Sequence, residues 1–121
     1  MDIKPTGHEL VSRLMTAATE RRDVIAANIA SQNVPGFRRR ELEFESLLLQ
    51  ALKRGDDPKD LQDIEPEVQV DWTSDTRADG NSVDAEKESA LLRENRIRFE
   101  IYAAIAKGRT RLVQQAITSN T

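Results

Sequence analysis

Residues 83–117 read VDAEKESALLRENRIRFEIYAAIAKGRTRLVQQAI, and their periodicity decides the architecture. Ala85, Leu92, Phe99, Ala106 and Val113 recur at seven-residue intervals, with Asn95, Tyr102 and Ala116 three positions on and Leu91, Ile105 and Leu112 alongside. Such spacing belongs to an amphipathic helix that packs along its length against another helix. Asp84, Glu86 and Glu88 crowd its start while Lys107, Arg109 and Arg111 sit late, the distribution that the helix dipole favours. The pattern predicts one helix over 83–117, about 50 Å long at about 1.5 Å per residue. Gly108 is its weak point, disfavoured by about 1 kcal/mol relative to alanine.

The partner stands at the other end of the chain. Over 6–34, Val11, Leu14, Ala18, Ile25 and Gln32 follow the same spacing, Arg21 and Asn28 complete the seam, and Leu10, Ala17 and Val24 widen it. Thr6 and Glu9 stand in capping-box positions, and Pro35-Gly36 stops the helix. Asn28 either lies at the edge of the stripe or sets the register of the pairing. The expected fold is a single, mainly α domain over 1–121, its two terminal helices packed as an antiparallel coiled coil.

The middle segment, 35–82, is partly irregular. Leu42, Phe44, Leu47, Leu48, Leu49, Ala51 and Leu52 predict a short helix over 41–52, closed by Arg54-Gly55. Asp56 to Glu67 reads as a solvated connector. Val68, Val70 and Trp72 alternate with Gln69 and Asp71, which predicts a half-buried strand over 67–72. No segment with matching alternation offers it a mate.

Composition narrows the function. Of 121 residues, 38% are hydrophobic and 32% charged, so apolar surface must lie in narrow stripes. The 18 basic and 21 acidic residues are mixed along the chain, leaving no electrostatic footprint for nucleic acid. No apolar run is long enough for membrane insertion, and the first residues lack the apolar core of a secretory signal. With no cysteine and His8 as the single histidine, a transition-metal site has no ligand set, and no nucleophile has an activating base beside it. A structural chain is expected, neither an enzyme nor a cofactor carrier.

Two short motifs compete with bland readings. Asp75 to Glu86 has the Asp, Asp, Gly and Glu spacing of a calcium-binding loop, but Arg77 places a cation where a ligand oxygen is needed. A turn followed by an N-capped helix explains it better. Arg38-Arg39-Arg40 is followed by Glu41, Glu43 and Glu45, and reads as a solvated or salt-bridged face.

The segment Ala26-Ala27-Asn28-Ile29-Ala30-Ser31-Gln32-Asn33-Val34-Pro35-Gly36-Phe37 resembles the Ala-x-Asn-Ile-Ala-Asn-x-x-Thr-Pro-Gly-Tyr signature of the flagellar rod and hook proteins. Ser31, Val34 and Phe37 depart from it. Asp79 to Glu88, continuing through Glu94-Asn95-Arg96-Ile97-Arg98-Phe99-Glu100, is similar to the corresponding segment in the proximal-rod branch of that family. The resemblance implies a structural subunit of the periplasmic rod in the flagellar basal body, the drive shaft around an export channel. It implies passage through the flagellar type III export apparatus, without a cleaved signal. It implies partners among other rod subunits and the basal-body adaptor or MS-ring proteins. Within it, Asn28, Ile29, Ala30, Pro35, Gly36 and Phe37 form the helix-end turn. Val11, Leu14, Ala18, Ile25, Leu92, Asn95, Phe99, Tyr102, Ala106 and Val113 are expected to make the coiled-coil and subunit contacts. Phe44 and Leu48 fit a Phe-x-x-x-aliphatic export-gate element, or are simply core neighbours one helical turn apart. Free subunits are expected to be weakly structured at their termini. Without the resemblance, two amphipathic helices would equally suit a soluble coiled-coil adaptor or an export chaperone.

Overall fold

The computed structural model describes residues 7–55 and 61–119. Helix α1 spans Gly7–Ala30, strand β1 Arg40–Glu43, helix α2 Glu45–Lys53, strand β2 Glu67–Val70 and helix α3 Ala85–Ser119. The chain is mainly helical, with one two-stranded sheet.

Helices α1 and α3 lie side by side in opposite directions. Gly7 abuts the Arg109 guanidinium, the Ala18 carbonyl accepts from Asn95, and Asn28 meets Glu88. As numbers rise on one helix they fall on the other, so the pair is antiparallel. Val11, Ala18 and Ile25 are buried along α1, while Leu92, Phe99, Tyr102 and Ala106 are half-buried along α3.

Helix α1 ends at Ala30, short of the expected 34. Ser31 donates its N–H to both Ala27 and Asn28 carbonyls at 3.1 Å, and Gln32 to Ile29 at 3.2 Å, so the last turn tightens. Pro35 then bars continuation, and Gly36 takes φ +74°, a region that side chains disfavour. Helix α3 begins at Ala85 with Asp84 as its cap, the Oδ1 accepting from the Glu86 and Lys87 N–H groups at 3.1 and 3.3 Å.

The expected helix over 41–52 is corrected at its start. Residues 40–43 form β1, antiparallel to β2, with Arg40 opposite Val70 and Leu42 opposite Val68. The strand over 67–72 therefore has a mate, and is itself confined to Glu67–Val70. The reason is visible in Glu41-Leu42-Glu43-Phe44, where Leu42 and Phe44 turn inward at 6% and 0% exposure. That period-2 run is masked in the sequence by the leucines that follow. Half-burial of β2 is corrected as well: Val68 and Trp72 remain 53% and 71% exposed, because the core ends at Leu42.

The core gathers Ala17 of α1, Leu42 of β1, and Phe44 and Leu48 around α2, with Leu10, Leu14, Val24, Leu61 and Ile64 packed against it. Arg13 stacks its guanidinium 5.3 Å from the Phe44 ring centre and donates to the Leu61 and Ile64 carbonyls. It thereby pins residues 61–64 to α1.

Candidate functional site

The two segments that carry the family resemblance are far apart in sequence and meet in space. Asn28, on the last turn of α1, is 1% exposed. Its Nδ2 donates to the Arg40 carbonyl at 2.9 Å and its Oδ1 accepts from the Arg40 N–H at 3.0 Å. A side-chain amide thus pairs with the backbone as a strand would, fixing where β1 starts against α1. The same Nδ2 lies 3.2 Å from Glu88 of α3.

Glu88 is 1% exposed, and its charge is met by Arg39, whose Nε donates to it. Arg39 also donates from Nη1 to Asp71 at 2.8 Å and to Glu41. Its backbone N–H donates to Ser82 Oγ at 2.8 Å, and its carbonyl accepts from the Asp71 N–H at 2.9 Å. One guanidinium therefore joins α3, β1 and the residue that follows β2. Burial alone would lower its pKa, but Glu88, Glu41 and Asp71 outweigh that and hold it well above the usual arginine range. Asp71 is held well below the carboxylate range by hydrogen bonds from Ser74 and Thr73 first, and by Arg39 after them.

Beside this ion cluster the loop 77–83 closes the end of α1. Asn81, fully buried, donates from Nδ2 to the Ser31 and Val34 carbonyls at 2.9 and 2.8 Å, and its Oδ1 accepts from the Val83 N–H at 2.7 Å. Arg77 donates to the Gln32 and Val83 carbonyls. The Gly36 N–H donates to the Asp79 carbonyl at 2.8 Å, and the Ser82 N–H to the Phe37 carbonyl at 3.0 Å. Gly80, at φ +83°, packs so close that a Cβ there would stand 3.3 Å from Gly36 Cα. Pro35-Gly36 and Asp79-Gly80 are two halves of one clamp.

A second polar layer lies further along the helix pair. Arg21 reaches Glu45 through both Nη atoms and Asn95 Oδ1 at 3.3 Å, and Tyr102 donates its hydroxyl to Glu45 at 3.0 Å. Burial tends to raise the Glu45 pKa, yet the Arg21 hydrogen bonds carry it below the ordinary value. Burial and the Glu45 charge push the Tyr102 phenol up to about 12.

Among the residues expected to matter, Asn28, Gly36 and Phe37 enter the clamp, Ile29 is half-buried beside it, and Ala30 and Pro35 are exposed at the turn. Val11, Ala18, Ile25 and Asn95 are buried, Leu92, Phe99, Tyr102 and Ala106 are half-buried, and Leu14 packs against the core around Phe44. The side chains of Val113 and His8, and Thr6 as a cap, fall outside the described residues. Phe44 and Leu48 are both core residues.

Of the two readings of the arginine run, the salt-bridged one describes Arg39, which pairs with Glu41, while the Arg40 side chain is exposed. Arg38 stacks 4.9 Å from the Trp72 ring centre, Arg39 is buried, and Arg40 is bound through its backbone to Asn28. The oxygens of the 75–86 loop serve the turn, with Asp79 accepting from the Asn81 N–H at 3.0 Å and Asp84 capping α3. Among the described residues, no three histidine, aspartate or glutamate side chains stand together to hold a metal ion.

Arg39, Glu88, Asp71 and Asn81 escaped the sequence reading. One signal existed for Glu88. It stands three residues after Ala85, in the seam series that continues as Asn95 and Tyr102, and a charge in a seam demands a buried partner. Asn28 of the opposite seam and Arg39 supply that partner, while Arg21, the other polar residue of that seam, meets Asn95.

No family model matches this chain. Individual proteins do. The flagellar basal body rod protein FlgB of Borrelia hermsii is 30% identical over 122 residues, spanning 87% of this chain and 90% of that protein. FlgB of Escherichia coli K12 is 25% identical over 116 residues, 83% of this chain and 84% of the relative. FlgB of Bacillus subtilis 168 is 25% identical over 112 residues, 86% and 87% of the two chains. Similarity of this extent runs through both halves of the clamp and both long helices, and this chain belongs to the FlgB family of flagellar basal body rod proteins.

Proposed function

We propose that this chain self-assembles through its terminal helices into the proximal part of the flagellar rod, forming the drive shaft around the export channel. The observation that carries the reading is the clamp, in which the two family segments join the end of α1 to the start of α3. It holds the long helices antiparallel and fixes their register, leaving a rigid hairpin as the building unit. The packing of that hairpin follows the coiled-coil spacing of the two seams.

The role is mechanical. A drive shaft transmits torque without chemistry, so its subunits need stiffness and complementary faces. Among the described residues, twelve large apolar side chains stand exposed, with Leu91, Ile97, Ile101, Ile105, Leu112 and Ile117 on α3 alone. Such surface gains its burial on docking, and the helix ends order then, offsetting conformational entropy that an isolated chain cannot recover. The subunit reaches the periplasm through the flagellar type III apparatus, and its neighbours are other rod subunits and the adaptor or MS-ring proteins. Phe44 and Leu48, core residues of the folded chain, serve as the export-gate element only while the chain is unfolded.

Replacing Phe99 and Tyr102 together by glutamate places charge in the helix seam, and is expected to abolish rod assembly and swimming. Normal swimming of that variant contradicts the reading. For the free chain, hydrogen exchange is expected to find the far ends of α1 and α3 poorly protected. A concentration-independent, cooperative transition with full helicity contradicts that.

A further inference from the structure

The two-stranded sheet has one closed edge and one open edge. On β1, the Arg40 N–H and carbonyl are both taken by the Asn28 side chain. On β2, the Asp71 N–H donates to the Arg39 carbonyl at 2.9 Å, and in the antiparallel register Gln69 and Glu67 likewise turn their backbone groups toward Glu41 and Glu43. The alternate residues, Val68 and Val70, therefore aim their N–H and carbonyl groups away from β1. Among the described residues no strand lies on that side. Pro66 precedes β2, but from Glu67 to Trp72 neither a lysine nor a proline blunts the edge.

The two faces beside this edge differ in chemistry. One carries Val68, Val70 and Trp72, all exposed, and the other Glu67 and Gln69. Glu67 lies directly opposite Glu43, a like-charge pairing that weakens a sheet. Arg39 neutralises Glu41 and Asp71, whereas among the described residues no cation stands within ion-pair distance of Glu43 or Glu67. Glu67 accepts only from Gln69, at 3.2 Å. The cations on the apolar face, Arg38 over Trp72 and Arg40 opposite Val70, lie on the β1 side. They are two strand spacings, about 9–10 Å, from a strand added at the open edge.

We infer that the open edge of β2 takes up an extended segment of another protein in which apolar residues alternate with lysine or arginine. Such a segment adds a third strand. Its backbone pairs with Val68 and Val70, its apolar side chains cover those valines and Trp72, and its cations stand beside Glu67 and relieve the repulsion with Glu43. A second copy of this chain fits poorly, because a two-fold pairing that sets Val68 against the partner's Val70 also sets Glu67 against the partner's Asp71. The inference concerns the sheet and not the helix pair, so it goes beyond the rod reading, and either stands if the other fails.

Trp72 is the single tryptophan, so its emission reports on this edge directly. The full chain is titrated with acetyl-Lys-Val-Lys-Val-Lys-Val-Lys-amide, with the same residues in the order Lys-Lys-Lys-Lys-Val-Val-Val, and with the alternating peptide carrying glutamate in place of lysine. The expected result is a saturable blue shift with the alternating lysine peptide and binding about tenfold weaker, or less, for either control. Val70→Pro removes an outward N–H without touching the ladder to β1, and is expected to weaken binding by about tenfold. Glu67→Lys is expected to weaken it as much while leaving the urea midpoint unchanged or higher, since it places an opposite charge across from Glu43. That variant keeps the test decisive if Val70→Pro does not fold. No shift with the alternating lysine peptide, equal binding of either control, or full affinity in Glu67→Lys or in folded Val70→Pro would each overturn the inference. So would a shift of Trp72 emission with chain concentration alone that Val70→Pro abolishes, which would assign the edge to a second copy.

Discussion

Glu88 concentrates the tension between burial and charge. Removing its carboxylate by Glu88→Leu leaves Arg39 inside the fold with only Asp71 and Glu41, and is expected to lower stability by about 3 kcal/mol. Adding Arg39→Met to it is expected to recover much of the loss, since an apolar pair of similar size needs no desolvation of charge. Urea midpoints of the two single variants and the double variant measure the coupling, and additive losses would mean that the pair is independent. Asp71 gives the cluster its pH dependence. Its pKa is lowered on folding, as is that of Glu45, so both contribute stability above ordinary carboxylate values, about 4, and lose it as pH falls through their lower folded values. Urea midpoints should therefore drop between pH 6 and pH 3, and Asp71→Asn should flatten that slope. Arg39 and Asp71 were illegible in the sequence because nothing in spacing reveals a long-range ion pair. Asn28 was legible as a polar seam residue, although only the structure decides between an edge position and the register-setting contact with Arg40 and Glu88.

At the scale of elements, long periodicity was readable and short periodicity was not. The two terminal helices announce themselves through repeated seven-residue spacing, which few other structures produce. β1 spans Arg40–Glu43, too few residues to separate strand alternation from the helical pattern beginning at Leu47. Phe44 stands at that junction with no exposure, so Phe44→Ala is expected to cost about 3–4 kcal/mol in a urea titration. A loss below 1 kcal/mol would mean that the α1, β1 and α2 core is not formed in solution. The contact between α2 and α3 has its own reporter. Tyr102 is the single tyrosine, and its pKa is pushed up to about 12 by burial and Glu45. Folding stability tied to it is complete below pH 10 and is lost as pH rises toward that value. Ultraviolet absorbance should show the phenol ionising well above 10, and Glu45→Gln should bring it back down; an ordinary titration in the native chain would place α3 away from Glu45.

For the molecule as a whole, the clamp explains why two family segments separated by so much sequence belong to one device. The first ends a helix, the second begins one, and their glycines meet where the backbones pass closest. What results is a hairpin of long helices with a small sheet at its side, a thin core and an apolar outer stripe. The central claim, that this hairpin is a building block of the flagellar rod, is tested most directly by a cryo-EM map of basal bodies from cells that make this chain. The account predicts rod density into which the α1–α3 hairpin fits, with the Asn28, Arg39 and Glu88 clamp at its bend and neighbouring copies against α3. A fully resolved rod whose density leaves no place for this chain would contradict it.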